Sequence, residues 1–273
     1  KPQNYDRKAH GTIYLYQGLA NSYNLSTAKL GLEVGVPNVI KTIGRLGVNV
    51  DWPAFPAMLL GAGGMSPMQV ATMYQTIANG GFNTPMRGIR SVLTAEGEPL
   101  KRYPFQIQQT FDPGAIYLVQ NAMQRVMREG TGRSVYNTLP RSLTLAGKTG
   151  TSNDSRDSWF AGFSQDLLAV VWLGRDDNKP TGLSGGSGAL PVWTDLMVRL
   201  QPAAAAPAMP PSVAWEWLDA DTGRLSNETC SGGVQVPVSA KGRPQEMTAC
   251  AAGGVPAFID SVVDGVMNLF RRQ

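Results

Sequence analysis

The sequence predicts an α+β fold: an antiparallel sheet flanked by helices, followed by a small β-rich domain. Three observations carry this. Helix start and stop signals fall before the main β-rich region and again after it. Within that region, extended runs follow one another over short turns, so the strands pair as antiparallel neighbours and not through helical crossovers. Then Pro202 to Pro211, rich in proline and alanine, reads as a linker to a second unit.

The elements follow in order. Lys1 to Gly11 is polar and turn-rich. Thr12 to Ala20 reads as a short helix leading into Asn21-Ser22-Tyr23-Asn24. Ser26 is placed to N-cap the next helix, which runs through Ala28, Leu30 and Leu32 towards Gly35. Pro37 to Leu46 reads as another, closed by Gly47, and residues 51–64 as an irregular apolar loop. Ser66-Pro67 is a strong helix start, with serine as cap and proline at the first helical position. Val70, Met73, Tyr74 and Ile77 form its stripe, and Asn79-Gly80-Gly81 stops it. Ile89 to Leu93 and Pro99 to Tyr103 flank Ala95-Glu96-Gly97-Glu98 as a hairpin. Asp112-Pro113 opens a second strong helix with Ile116, Val119, Met123, Val126 and Met127 on its core face, ended by Gly130-Thr131-Gly132. Trp159 to Phe163 and Leu167 to Leu173 form a hairpin over Ser164-Gln165-Asp166. Gly185-Gly186-Ser187-Gly188 leads into an apolar helix from Leu190 to Leu200. Beyond the linker, Trp215 to Leu218, Asp221-Thr222-Gly223 and Gln235 to Val238 suggest a small β unit. Ala257 to Arg272 is amphipathic, and reads either as a helix docked on that unit or as a membrane-surface or partner helix.

Composition bounds the function. The chain has 273 residues, 42% of them hydrophobic and 16% charged, a globular balance. Net charge is +4, without a dense Lys/Arg stripe interleaved with aromatics, so nucleic acid is a poor partner. The start is not a signal peptide and reads as the middle of a longer protein, any anchor or export signal lying upstream of Lys1. Two cysteines, Cys230 and Cys250, lack the further ligands a zinc site needs. They fit one local disulfide and an oxidising compartment, two unpaired thiols being the alternative. The single histidine, His10, sits in a polar turn and reads as a solvated loop residue. A Ser-His-Asp triad could use only His10, so a serine nucleophile here would take a lysine as its proton acceptor.

Chemistry concentrates at Ala146-Gly147-Lys148-Thr149-Gly150-Thr151-Ser152, which reads as a sheet-edge strand. Lys148 supplies a fixed positive charge, and the hydroxyls of Thr149 and Thr151 can hold a carboxylate. Gly150 lets another backbone lie against the strand, so an extended peptide could add to it by main-chain hydrogen bonds. Upstream, Ser22-Tyr23-Asn24 offers a hydroxyl, which can pass a proton if it faces two lysines, and an amide that both donates and accepts.

A Ser-x-Asn followed by Lys-Thr-Gly is the second and third part of the pattern of the penicillin-binding serine acyl-transfer enzymes. The chain resembles the later part of a class A, 1b-type penicillin-binding transpeptidase domain. Pro2-Gln3-Asn4-Tyr5-Asp6, Pro56-Ala57-Met58-Leu59-Leu60-Gly61, Gly130-Thr131-Gly132, Asp157-Ser158-Trp159-Phe160-Ala161-Gly162 and Trp172-Leu173-Gly174-Arg175-Asp176 extend the resemblance over about the first 200 residues. The part around Cys230 and Cys250 is more loosely similar to the small C-terminal domain of that type.

The resemblance implies the penicillin-binding/serine β-lactamase-like transpeptidase fold, laid out as residues 1–200, a linker at 201–212, a disulfide-stapled β domain at 213–256 and a terminal helix at 257–273. It implies acyl transfer from the D-Ala-D-Ala end of a peptidoglycan stem peptide, blocked by β-lactams, with no metal or other cofactor. Ser22 would relay a proton to the leaving amine, supported by Lys148. Asn24 would orient the acyl-side amide, Thr149 and Thr151 would hold the terminal carboxylate, and the Thr151 N–H would serve the oxyanion hole. A glycosyltransferase domain and a membrane anchor upstream, envelope regulators and the periplasmic face of the inner membrane are implied with it. The family's Ser-x-x-Lys is missing from its place. Ser26-Thr27-Ala28-Lys29 has the right spacing but begins two residues after Asn24, too close to converge on the same pocket. Ser26 then reads as a cap, Lys29 as a surface lysine, and the nucleophile as lying outside this chain. A carboxypeptidase or β-lactamase on the same fold, and a non-catalytic interaction fragment, are the competing readings.

Overall fold

A computed structural model describes residues 2–204 and 206–252. The amphipathic segment Ala257 to Arg272 lies outside them. The chain divides into two units, Lys1–Pro210 and Pro211–Gln273.

The first unit opens with helices α1 (Leu15–Ala20), α2 (Asn24–Val34) and α3 (Val36–Arg45). Ser26 does not cap α2. The helix begins two residues earlier, and the Ser26 hydroxyl donates back to the Tyr23 carbonyl at 3.0 Å. Ser26 thus lies inside the helix, and its Oγ occupies the space a side chain on Gly18 would need. Lys29 is a surface lysine, 79% exposed beside Glu33. Residues 51–64 are irregular apart from one 3-10 turn, Pro56–Leu60, which the run of prolines and glycines masked in the sequence.

Helix α4 (Pro67–Ala78) starts where Ser66-Pro67 says it should. The Ser66 hydroxyl accepts from the Gln69 N–H, and the Gln69 side chain accepts from the Ser66 N–H. Ser66→Ala removes half of this box and lowers stability by about 1 kcal/mol; urea denaturation of the two forms measures it. Two minor hairpin pairs follow, β1 (Phe82–Asn83) with β4 (Gln108–Gln109), and β2 (Ser91–Leu93) with β3 (Pro99–Arg102). Helix α5 (Pro113–Arg128) is capped by Asp112 onto Ala115. Its buried face carries Ile116, Met123, Val126 and Met127 as read from the sequence, but Val119 is exposed and Gln120 is buried in its stead. Gln120 is tolerated there because its amide donates to the carbonyls of Ile77 and Ala78 at the end of α4.

The sheet that positions the site is β5 (Ala146–Thr151), β6 (Ser158–Phe163) and β7 (Leu168–Leu173), paired antiparallel in that order, with β5 at the edge. Lys148 stands opposite Ala161, and Thr149 opposite Phe160. Because side chains alternate along a strand, Lys148 and Gly150 share one face while Thr149 and Thr151 share the other. Helix α4 packs on β6 and β7, and α6 (Ala189–Leu200) packs on the same two strands. The larger core includes Met127, Leu145, Phe160, Leu190, Trp193 and Met197. A second cluster, Met123, Ala146 and Phe163, meets Tyr74 and Ile77 of α4.

The second unit is a hairpin of β8 (Val213–Asp219) and β9 (Gly233–Ser239) around buried Val213, Leu218, Leu225 and Val236. A disulfide joins Cys230 to Cys250 on the short helix α7 (Ala249–Ala252). Among the described residues, no helix is long and apolar enough to cross a membrane.

Candidate functional site

Helix α1 ends at Ala20, and the chain turns sharply so that α2 can start at Asn24. Ser22 makes that turn in the left-handed region at φ 57°, a conformation that is sparsely populated for a non-glycine residue. The turn is held by the Tyr23 N–H on the Gly18 carbonyl at 2.9 Å. It presents the Ser22 hydroxyl to β5, where the Lys148 ammonium donates to Ser22 Oγ at 2.8 Å and to the Thr149 carbonyl at 3.0 Å. These two side chains are 126 residues apart in sequence.

Lys148 opens onto a cleft of about 800 Å³. The walls are the far side of α4 (Val70, Met73, Tyr74) and the aromatic pair Trp159 and Trp172, whose ring centroids are 6.1 Å apart. Trp172 is fixed by its indole N–H on Asp157 Oδ1 at 3.0 Å. Burial in this setting lowers the Lys148 pKa from 10.5 to about 8. Lys148 therefore still carries its positive charge at neutral pH but gives up a proton more readily than a solvated lysine. Burial drives the Tyr74 phenol the other way, up to about 12, so it stays neutral in the cleft wall.

The threonines of β5 are held separately. The hydroxyls of Thr149 and Thr131 lie 2.7 Å apart. Thr151 Oγ1 accepts from the Gly185 N–H at 2.9 Å. Gly185 can come this close because it lacks a side chain: a Cβ there would stand 2.6 Å from the Gly150 carbonyl oxygen. The structure thus brings Ser22 and Lys148 together, and although the side chains alternate along β5, Lys148, Thr149, Gly150 and Thr151 all line the same cleft. Asn24 is the first residue of α2, and its amide donates to the Gln3 carbonyl at 2.8 Å. His10 does lie in a loop, as read, but it is only partly solvated. Its ring stacks on Tyr23 with centroids 4.0 Å apart, and its Nε2 lies 2.8 Å from Asp6 Oδ2. The Asp6 pair and the flat tyrosine face give a polar-turn histidine a semi-buried place that composition did not reveal.

Two residues of the site escaped sequence reasoning, Thr131 and Gly185. Gly130-Thr131-Gly132 reads as a helix stop and Gly185-Gly186 as a turn. Their role follows only from where the chain returns to β5. Gly130 lies directly under the Ala20 carbonyl, with no room for a side chain, and the Thr131 N–H donates to that carbonyl at 3.1 Å.

Residues 1–197 match the family model described as the penicillin binding protein transpeptidase domain. Penicillin-binding protein 1B of Vibrio cholerae is 46% identical over 197 residues, covering 72% of this chain and 25% of that protein. Penicillin-binding protein 1B of Escherichia coli is 38% identical over 238 residues, covering 86% and 28%. The chain therefore spans about a quarter of the length of these relatives. The crystal structure of penicillin-binding protein 1A from Haemophilus influenzae shares the fold, with a TM-score of 0.82 at 24% identity, covering 90% of this chain and 43% of that one. With Ser-x-Asn and Lys-Thr-Gly facing each other on a shared fold and the family match running through both, the chain belongs to the class A penicillin-binding protein transpeptidase family.

Proposed function

We propose that this chain forms the later part of a DD-transpeptidase domain that crosslinks peptidoglycan stem peptides through a serine acyl-enzyme. The observation that carries the reading is the 2.8 Å contact between Lys148 Nζ and Ser22 Oγ, at the wall of an open cleft. A buried lysine near its pKa, donating to a serine hydroxyl, is suited to pass a proton through that hydroxyl to a leaving amine.

The nucleophilic serine and its partner lysine belong, in this reading, to a helix outside these 273 residues. That serine gives its hydroxyl proton to the partner lysine as its oxygen attacks the penultimate D-Ala carbonyl, and the tetrahedral intermediate is held by the N–H of Thr151 and of the serine itself. The amide C–N bond breaks, Ser22 protonates the departing D-Ala amine, and Lys148 restores the Ser22 proton. Thr149 and Thr151 hold the terminal carboxylate, and Asn24 orients the acyl-side amide. For that last role Asn24 must exchange the Gln3 carbonyl for substrate. An amine from a second stem peptide then attacks the ester, releases the serine oxygen and forms the crosslink. β-Lactams enter as mimics of the donor and halt at the ester.

The length of the relatives supports the wider proposal: a glycosyltransferase domain and an anchor precede this region, on the periplasmic face of the inner membrane. The disulfide is compatible with that oxidising side. Fluorescent penicillin labelling tests the reading. The chain extended upstream to include the attacking serine labels, and residues 1–273 alone do not. Absence of labelling in both would leave an interaction fragment and sink the enzymatic assignment.

A further inference from the structure

We infer that Thr131 is a positioning residue for ligand binding at this site: its hydroxyl, set against that of Thr149, fixes which way the anion-binding proton points. The inference rests on the transpeptidase reading and deepens it by adding a residue to the carboxylate-holding half.

A carboxylate only accepts hydrogen bonds, so each hydroxyl that binds it must present its proton. A threonine has one proton and two lone pairs, and it rotates to suit its neighbours. A hydroxyl with no other partner spends rotational freedom when it turns to a ligand. One that already accepts from a neighbouring donor has its proton directed elsewhere beforehand. Thr151 is arranged this way without ambiguity: the Gly185 N–H can only donate, so the Thr151 lone pair is engaged and its proton is free. For Thr149 the corresponding partner is Thr131, whose Oγ1 is 2.7 Å from Thr149 Oγ1. That distance is the ordinary one for an O–H···O bond. With Thr131 as the donor of that contact, a lone pair of Thr149 is engaged and the Thr149 proton is left to offer. Thr151 is preset by the Gly185 N–H, and in this proposal Thr149 is preset by Thr131 acting as donor.

Thr131 is fixed well enough to do this. Its own N–H is anchored on the Ala20 carbonyl at 3.1 Å. The Gly130 backbone is pressed against that same carbonyl at a point where no side chain fits. Ala20 is two residues before Ser22, so one loop residue touches the end of α1 through its backbone and β5 through its hydroxyl. The backbone anchor does not depend on the side chain, so a change of side chain separates the two contacts.

The test uses the upstream-extended protein and Thr131→Val, which keeps the shape and removes the hydroxyl. The rate constant for acylation by benzylpenicillin falls about tenfold, in apparent binding more than in the maximal acylation rate, as expected for weakening one hydrogen bond to a charged group. Acylation by benzylpenicillin methyl ester, which has no free carboxylate, is unchanged. Thr131→Ser restores the wild-type rate. If Val disturbs folding, seen as a lowered Tm, Thr131→Ala gives the same comparison between acid and ester. Equal losses on acid and ester would mean that Thr131 only supports the loop, and no loss on either would mean that its hydroxyl is idle; both overturn the inference while leaving the family reading intact. Failure of the wild-type protein to label would overturn the transpeptidase reading itself.

Discussion

Lys148→Ala in the upstream-extended protein reduces the rate of penicillin acylation by about a thousandfold, within the span expected for removing a positioned proton-transfer group. The variant loses the only ammonium that the structure places on Ser22 among the described residues, and Ser22 keeps its hydroxyl without a source of protons. Lys148→Arg does not rescue, because a guanidinium holds its proton at any pH the protein survives. The wild-type pH profile carries the same signature. Donation to Ser22 needs the protonated lysine, so the rate declines as pH rises through about 8. Stopped-flow acylation across pH 6 to 10 measures both effects.

Lys148→Met separates this defect from loss of fold. Burial lowers the folded-state pKa of Lys148 from 10.5 to about 8. Below pH 8 both folded and unfolded chains carry the proton, and the folded state bears the full cost of burying it. Between 8 and 10.5 the unfolded chain binds more protons, so stability rises with pH. Lys148→Met is therefore at least as stable as wild type at pH 7, and its advantage shrinks as pH climbs through that window. Function and stability make opposite demands on this side chain: the form that works is the form the fold disfavours.

Trp193→Ala costs about 3–5 kcal/mol, the largest single loss of stability expected in the first unit. Trp193 is fully buried and meets Phe160 edge-on, with centroids 5.1 Å apart and planes at 65°. Its indole N–H donates to the Ala169 carbonyl on β7 at 3.2 Å. Removing the ring empties a large volume and takes that hydrogen bond away from the Ala169 carbonyl. Phe160 cannot collapse into the gap freely, because its ring already fills the space left open by Gly147 and Gly162. Against the 5–15 kcal/mol typical of a whole domain, the change removes a large share, and calorimetry reads it as a Tm lowered by about 10 °C.

Much of this was legible in the residues. Ser66-Pro67 and Asp112-Pro113 announced their helices because a cap and a proline act locally, whatever the rest of the chain does. The β6–β7 hairpin followed from two extended apolar runs joined by a short turn. The pairing of Ser22 with Lys148 was not legible from either stretch alone. It emerged from the resemblance to a three-part pattern, and the 2.8 Å contact supports it. Three things were illegible for physical reasons. Ser26 has the right chemistry for a cap, but the tight turn at Ser22 starts the helix early. Val119 fits an apolar stripe, yet the helix rotates Gln120 inward to close the end of α4. Thr131 has no local signature, because its partner lies 18 residues away on a strand.

The alternation of β5 has one further implication, for how such a domain can change over time. In the proposed reaction the proton-delivering lysine and the anion-holding threonines alternate in direction along one strand while lining the same cleft, so a point change tuning one task need not disturb the other. Gaining or losing a single residue within the strand is a different matter: it would exchange the two directions and lose both tasks together. Sequence drift in this segment should therefore proceed by replacement and almost never by insertion or deletion.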